Sequence, residues 1–184
     1  MYSWKIIVKH GLPLLTLAVL IEIIAGQILL GKQEMLLVFP VFLISIPVIN
    51  SISGNVGSVL GARLASGLHV GYISLSLSDK EMHDNLFISI LIGIFTYFIL
   101  AIVIYYMALF GGLDLSLGPI EFMGILVITG FLLICVVAMI SVLTAFISFK
   151  RGLDPDDMVA PVITTVGDVM GIVFLFIVIG IFGA

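Results

Sequence analysis

In "LDPDDMVAPVITTVGDVMG" three aspartates open the stretch, and a fourth carboxylate, Asp168, lies in the run after Asp157 that is otherwise apolar or weakly polar. Asp157, Pro161, Thr164, Asp168 and Gly171 follow i, i+4, i+7, i+11 and i+14, one face of a helix, with Thr165 beside them. A second polar set occurs in "PVINSISGNVGSVLGARLASG", where Asn50, Gly54, Gly57 and Gly61 share a face at i, i+4, i+7 and i+11. Ser51, Asn55 and Ser58 run alongside it. Small residues in an apolar helix serve as a packing seam, because they let backbones approach closely in lipid. They serve equally as the wall of a wet passage. The carboxamides of Asn50 and Asn55 favour the passage, since each must find partners away from bulk water. Pro47 removes a backbone donor and is expected to kink its helix and free a carbonyl near Leu43.

The donors in both stripes are carboxylate, carboxamide, hydroxyl and carbonyl oxygens, which suit a hard cation. His10, His69 and His83 are expected in loops, and the single Cys135 sits within an apolar run. A zinc or copper site at membrane depth is therefore not expected, nor is a disulfide. Mg²⁺ dehydrates reluctantly and is commonly held by one or two carboxylates through retained waters, which suits so sparse a donor set. Asp154, Asp156 and Asp157 form an acidic rim before the Asp168 stripe, either a solvated loop or a vestibule that concentrates cations. Glu22 lies in the middle of the first apolar run and is a candidate for a role in transport, for a polar partner, or for protonation. Glu121 reads as the acid of a helix start.

The elements that must hold these residues are set by composition. The 184 residues are 62% hydrophobic and only 10% charged, against about 45–50% apolar and 25% charged in a soluble domain. That marks an all-α integral membrane protein. Runs long enough to cross a bilayer are Leu12–Leu30, Met35–Leu64, Leu86–Leu109, Ile120–Phe149 and Pro161–Phe182, five spans within one transmembrane domain over 1–184. The second and fourth exceed what a bilayer needs and are expected to tilt, kink or project. Of the seven basic residues, Lys5, Lys9, Arg63, Lys80, Lys150 and Arg151 fall on one face and only Lys32 on the other. The positive-inside rule then predicts a cytoplasmic N-terminus and an external C-terminus. A net charge of −4 without a basic patch excludes a nucleic-acid partner.

Depth ties the stripes together. Asn55 precedes Arg63 by eight residues and Asp168 follows Pro161 by seven. If those residues mark the membrane boundary, the two side chains lie about 12 and 10 Å inside it at ~1.5 Å per residue. The stripes are thus expected to face each other across a passage.

The two motifs, "SISGNVGSVLGARLASG" and "GLDPDDMVAPVITTVGDVMGI", together with "KEMHDNLFISILIG", resemble the MgtE-type magnesium transporters and the related animal solute carriers. The resemblance rests on Gly-Asn-x-Gly in the second span and Asp-Pro…Pro-x-x-Thr-Thr-x-x-Asp leading into the fifth, and it covers all five spans. It implies a multi-pass protein of the cell membrane that transports Mg²⁺ as a homodimer, with a pore on the dimer axis lined by spans two and five. It further implies that Asp168 matches the family's pore aspartate. Thr164 and Asn55 then join it as metal-site candidates, and Asn50, Ser51, Gly54, Gly57, Ser58, Thr165 and Gly171 line the pore. Bacterial members also carry cytoplasmic regulatory and CBS domains; this sequence holds none, so a bare transmembrane module is expected.

Rival readings are weaker. An intramembrane aspartyl protease needs two membrane aspartates and a Gly-x-Gly-Asp element, whereas "TVGD" lacks the first glycine; a serine type would need a membrane histidine. No enzyme is expected. Mn²⁺, Co²⁺ or Ca²⁺ as the main substrate, or a non-transporting membrane assembly subunit, remain the alternatives.

Overall fold

The computed structural model describes residues 4–113 and 117–183. Among the described residues it contains helices and no strands. That is what lipid dictates for a chain of apolar runs, since a helix satisfies its own backbone polar groups. The helices are α1 (Trp4–Gly31), α2 (Gln33–Val38), α3 (Val41–Val70), α4 (Lys80–Phe110), α5 (Pro119–Lys150) and α6 (Pro155–Phe182). Five of them, all but α2, are long and apolar enough to cross a membrane.

Their ends follow local chemistry, and several differ from the expected spans. The second span begins at Val41 rather than Met35. Pro40 forces the preceding residue out of the helical region, and Phe39 sits at φ −122°, ψ 71°, so Gln33–Val38 is cut off as a separate turn. The fifth span begins six residues before Pro161, at Pro155, where a missing N–H costs nothing in a first turn. Asp154 caps it by accepting from the Asp156 N–H at 3.1 Å. Pro161 consequently lies inside the helix.

The long polar segment between spans two and three is mostly helical too. α3 runs on to Val70 and stops at Gly71, whose φ of 88° is accessible to glycine at no steric cost. Asp79 then starts α4. It accepts from the Met82 N–H at 3.0 Å and from the N–H and Oγ of Ser74 at 2.9 and 2.7 Å, which folds the connecting turn onto the helix start. His69 and His83 thus fall in terminal turns of helices, and His10 within α1, rather than in loops.

α5 is the central helix, with Phe122, Ile125, Leu126, Leu133, Ile134 and Val137 fully buried among α3, α4 and α6. Its packing against α4 uses a glycine on each side: the Tyr97 ring fills the space over Gly130, and Ile134 lies over Gly93. Among the described residues α6 is the one substantial neighbour of α1, and most of the α1 surface is exposed.

Candidate functional site

The α3–α6 seam carries both polar stripes. The helices run antiparallel, in a register readable from their closest approaches. Asn50 and Gly171 lie together, then Gly54 and Thr164, then Gly57 and Ile163, then Gly61 and Val159. A methyl group on Gly57 would overlap Val137 and Ile163, and one on Gly61 would overlap Val159. Part of the expected glycine face therefore is a packing seam, as small residues in lipid allow.

Beside that seam a cleft of about 530 Å³ is lined by Ile46, Pro47, Asn50, Ser51, Gly54, Asn55, Ser58, Thr164 and Asp168. It gathers seven of the residues singled out in the sequence as site candidates. The others lie elsewhere, each for a packing reason. Gly57 is buried in the seam, and Gly171 receives the Asn50 carboxamide and Leu133. Thr165 is buried, bonds to the Pro161 carbonyl at 2.8 Å, and faces α1. Asp154, Asp156 and Asp157 cap and open α6 three to four turns below Asp168.

Asp168 is half-buried, and the Asn50 carboxamide stands beside it on α3. Glu22 was left open in the sequence; it lies on α1, the helix that packs along α6, and is not among the residues that line the cleft. Asn50 donates its Nδ2 to the Asp168 main-chain carbonyl at 3.4 Å, while its Oδ1 is buried with no partner among the described residues. The expected pairing of Asn55 with Asp168 is shifted. Asn50 stands at the level of Asp168, and Asn55 lies more than a turn along α3, with its Nδ2 3.5 Å from the Ser51 Oγ. Thr164 donates its hydroxyl to its own helix, to the Ala160 and Pro161 carbonyls at 3.0 and 3.1 Å, so its oxygen lone pairs remain free to accept.

Two contacts the sequence reading missed fix α3 from behind. The buried Tyr97 hydroxyl donates to the Ile49 carbonyl at 2.6 Å, and the Ser141 hydroxyl donates to the Gly57 carbonyl at 2.7 Å. The hydroxyls that make them are two of several buried on α4 and α5, beside Ser89, Thr129 and Ser148, and nothing in the sequence singled them out. Ser53 Oγ, between these points, bonds the Asn50 carbonyl at 2.8 Å. The helix that carries the cleft's carboxamides is thereby tied to α4 and α5 through its main chain.

The side-chain oxygens of the cleft are the Asp168 carboxylate and the Thr164 hydroxyl on α6, with the carboxamides and hydroxyls of Asn50, Ser51, Asn55 and Ser58 on α3. Among the described residues no three His, Cys, Asp or Glu side chains cluster to hold a metal ion. The described lining of the cleft thus offers one carboxylate, with neutral dipoles besides. A family model described as MgtE, a divalent cation transporter, matches residues 46–178, well over half of the chain. No curated protein and no solved structure matches.

Proposed function

Because the chain belongs to the MgtE family of divalent cation transporters, we propose that it carries Mg²⁺ across the membrane through a path lined by α3 and α6 of a homodimer. The family is one of transporters rather than enzymes, and the chain is a multi-pass membrane protein. The observation that carries the finer reading is the Asp168 carboxylate, half-buried deep in the all-oxygen cleft and free of a basic partner there. A carboxylate at that depth is costly to keep unless it serves the passing ion.

Within this reading Asp168 supplies the charge, while Asn50, Asn55 and Thr164 supply dipoles to the ion's retained water shell. Ser51, Gly54 and Ser58 complete the wall. One carboxylate per chain is too little counter-charge for a divalent ion in a low-dielectric surrounding. Two chains about a twofold axis would bring two copies of Asp168 to one point, −2 against +2. The acids at the α6 start form the entrance, and the basic residues orient that end toward the cytoplasm.

The test is Mg²⁺ uptake into liposomes by wild type and Asp168→Asn, with Mn²⁺, Co²⁺ and Ca²⁺ presented separately. The variant keeps shape and hydrogen-bonding capacity but loses the charge. We expect uptake to vanish while the protein remains folded. Uptake within about twofold of wild type, roughly 0.4 kcal/mol of barrier, overturns the assignment.

A further inference from the structure

On the side of α3 away from α6, a furrow of about 160 Å³ opens between α3 and α4, lined by Asn55, Val56, Val59, Arg63, Ser89 and Ile92. Its lining is apolar apart from Asn55, Arg63 and Ser89. α3 contains no acidic residue, and α4 contains none after Asp84. Arg63 is exposed and forms no ion pair among the described residues. A lone guanidinium over an apolar slot is the inverse of the acidic cleft next door.

The depth of Arg63 is fixed by the register. Gly61 packs on Val159, in the second turn of α6, so Arg63 lies near the level of the first turn and close to the end of the bundle. Val59 and Val56 lie one and two turns deeper. With the end of the bundle taken as the bilayer surface, that order puts a cation at headgroup depth and a methyl-lined slot at acyl-chain depth.

We propose that the α3–α4 furrow binds an anionic phospholipid, its phosphate held by Arg63 and one acyl chain lying against Val59, Val56 and Ile92. The planar guanidinium presents paired donors that match two phosphate oxygens, and the anion supplies a partner to a cation that forms no ion pair among the described residues. The slot ends at Asn55, which also lines the polar cleft on the other side. A chain seated there packs against the back of that carboxamide and limits the rotamers it can adopt.

The experiment measures lipid retained by the purified, delipidated protein, using phosphatidylglycerol and phosphatidylcholine of matched acyl chains, read by native mass spectrometry. One Arg near a membrane surface contributes roughly 1 kcal/mol toward an anionic lipid, so wild type should retain phosphatidylglycerol about fivefold over phosphatidylcholine. Arg63→Gln should bring that ratio to about one, and Arg63→Lys should restore part of it. Val59→Trp, which fills the slot and leaves the cation in place, should lower retention of both lipids and covers the case in which Arg63→Gln fails to fold. Excess inorganic phosphate should leave retention unchanged. Equal retention of both lipids by wild type overturns the proposal, as does a ratio unaffected by Arg63→Gln. Competition by inorganic phosphate would mean a free-anion site instead. A change in oligomeric state in Arg63→Gln with an unchanged lipid ratio would assign the residue to a protein interface. None of these readouts depends on ion flux.

Discussion

The carboxamide of Asn50 on α3 bridges to α6 at two points: its nitrogen donates to the Asp168 carbonyl at 3.4 Å, and its oxygen rests against the bare backbone of Gly171. The residue that lines the cleft thus also sets how closely its two walls stand. Gly171→Ala puts a methyl group into the Asn50 oxygen and should force the amide out of its seat. Overpacking of this kind costs about 1–3 kcal/mol. Denaturant titration in micelles should show a loss in that range, accompanied by reduced uptake. An unchanged midpoint would mean that the seam relaxes freely at this level.

Asn55→Ala should slow Mg²⁺ uptake less than Asp168→Asn does, because a carboxamide contributes a dipole where the aspartate contributes a charge. Asn50→Ala should exceed Asn55→Ala, since Asn50 stands at the level of Asp168 and also braces α6. Liposome flux on the three variants ranks them directly, and Asn55 at the top of the order would require a different path.

An ion held only in the folded dimer should raise its stability, by about 2.7 kcal/mol at a concentration of ~100 Kd. We expect the melting temperature to climb with Mg²⁺ in wild type and to stay flat in Asp168→Asn. A detergent-stable monomer that still conducts would remove the dimer axis from the path.

Membrane orientation is open to a chemical test. In a Cys135→Ser background, Gly183→Cys should react with an impermeant maleimide from outside the cell, as the distribution of basic residues predicts. Labelling from the cytoplasmic side alone reverses the topology.

At the α4 start, hydrogen bonds from Ser74 and from the Met82 N–H hold the Asp79 carboxyl below the usual carboxylate range. A depressed folded value means that this support is fully present above the unfolded value of about 3.9 and is lost as pH falls through the folded one. Amide exchange in the segment 71–79 should therefore show no loss of protection between neutral pH and about 5. Asp79→Ala should reduce protection there at neutral pH, and a variant as protected as wild type would refute the capping role.

Hydropathy located all five spans because it reports where a chain is comfortable in lipid. It does not report where a helix ends, and α3, α4 and α6 all continue past the apolar runs on polar turns. Pro40 and Pro155 held the information for two misplaced ends, since one breaks a helix and the other suits a helix start. The stripes were legible as faces, because periodicity is a property of one helix. Their relative register was not, because it comes from which knob meets which gap. The match of Gly61 with Val159 and of Gly171 with Asn50 is written in neither segment alone. The same holds for Glu22, whose surroundings depend on how α1 lies along α6.

The prolines inside α3 and α6 have a mechanical consequence. Pro47 leaves the Leu43 carbonyl without its helical donor, and Pro161 does the same for Asp157. Because the helices run in opposite directions, these two missing struts lie at opposite ends of the cleft, one beyond Asn50 and one beyond Thr164. Tyr97 and Ser141 meanwhile clamp α3 between Ile49 and Gly57. The α3 wall is thus braced at mid-height, and each wall lacks one helical hydrogen bond toward its own end of the cleft. Amide exchange should therefore be faster at both ends than at the level of Tyr97 and Ser141.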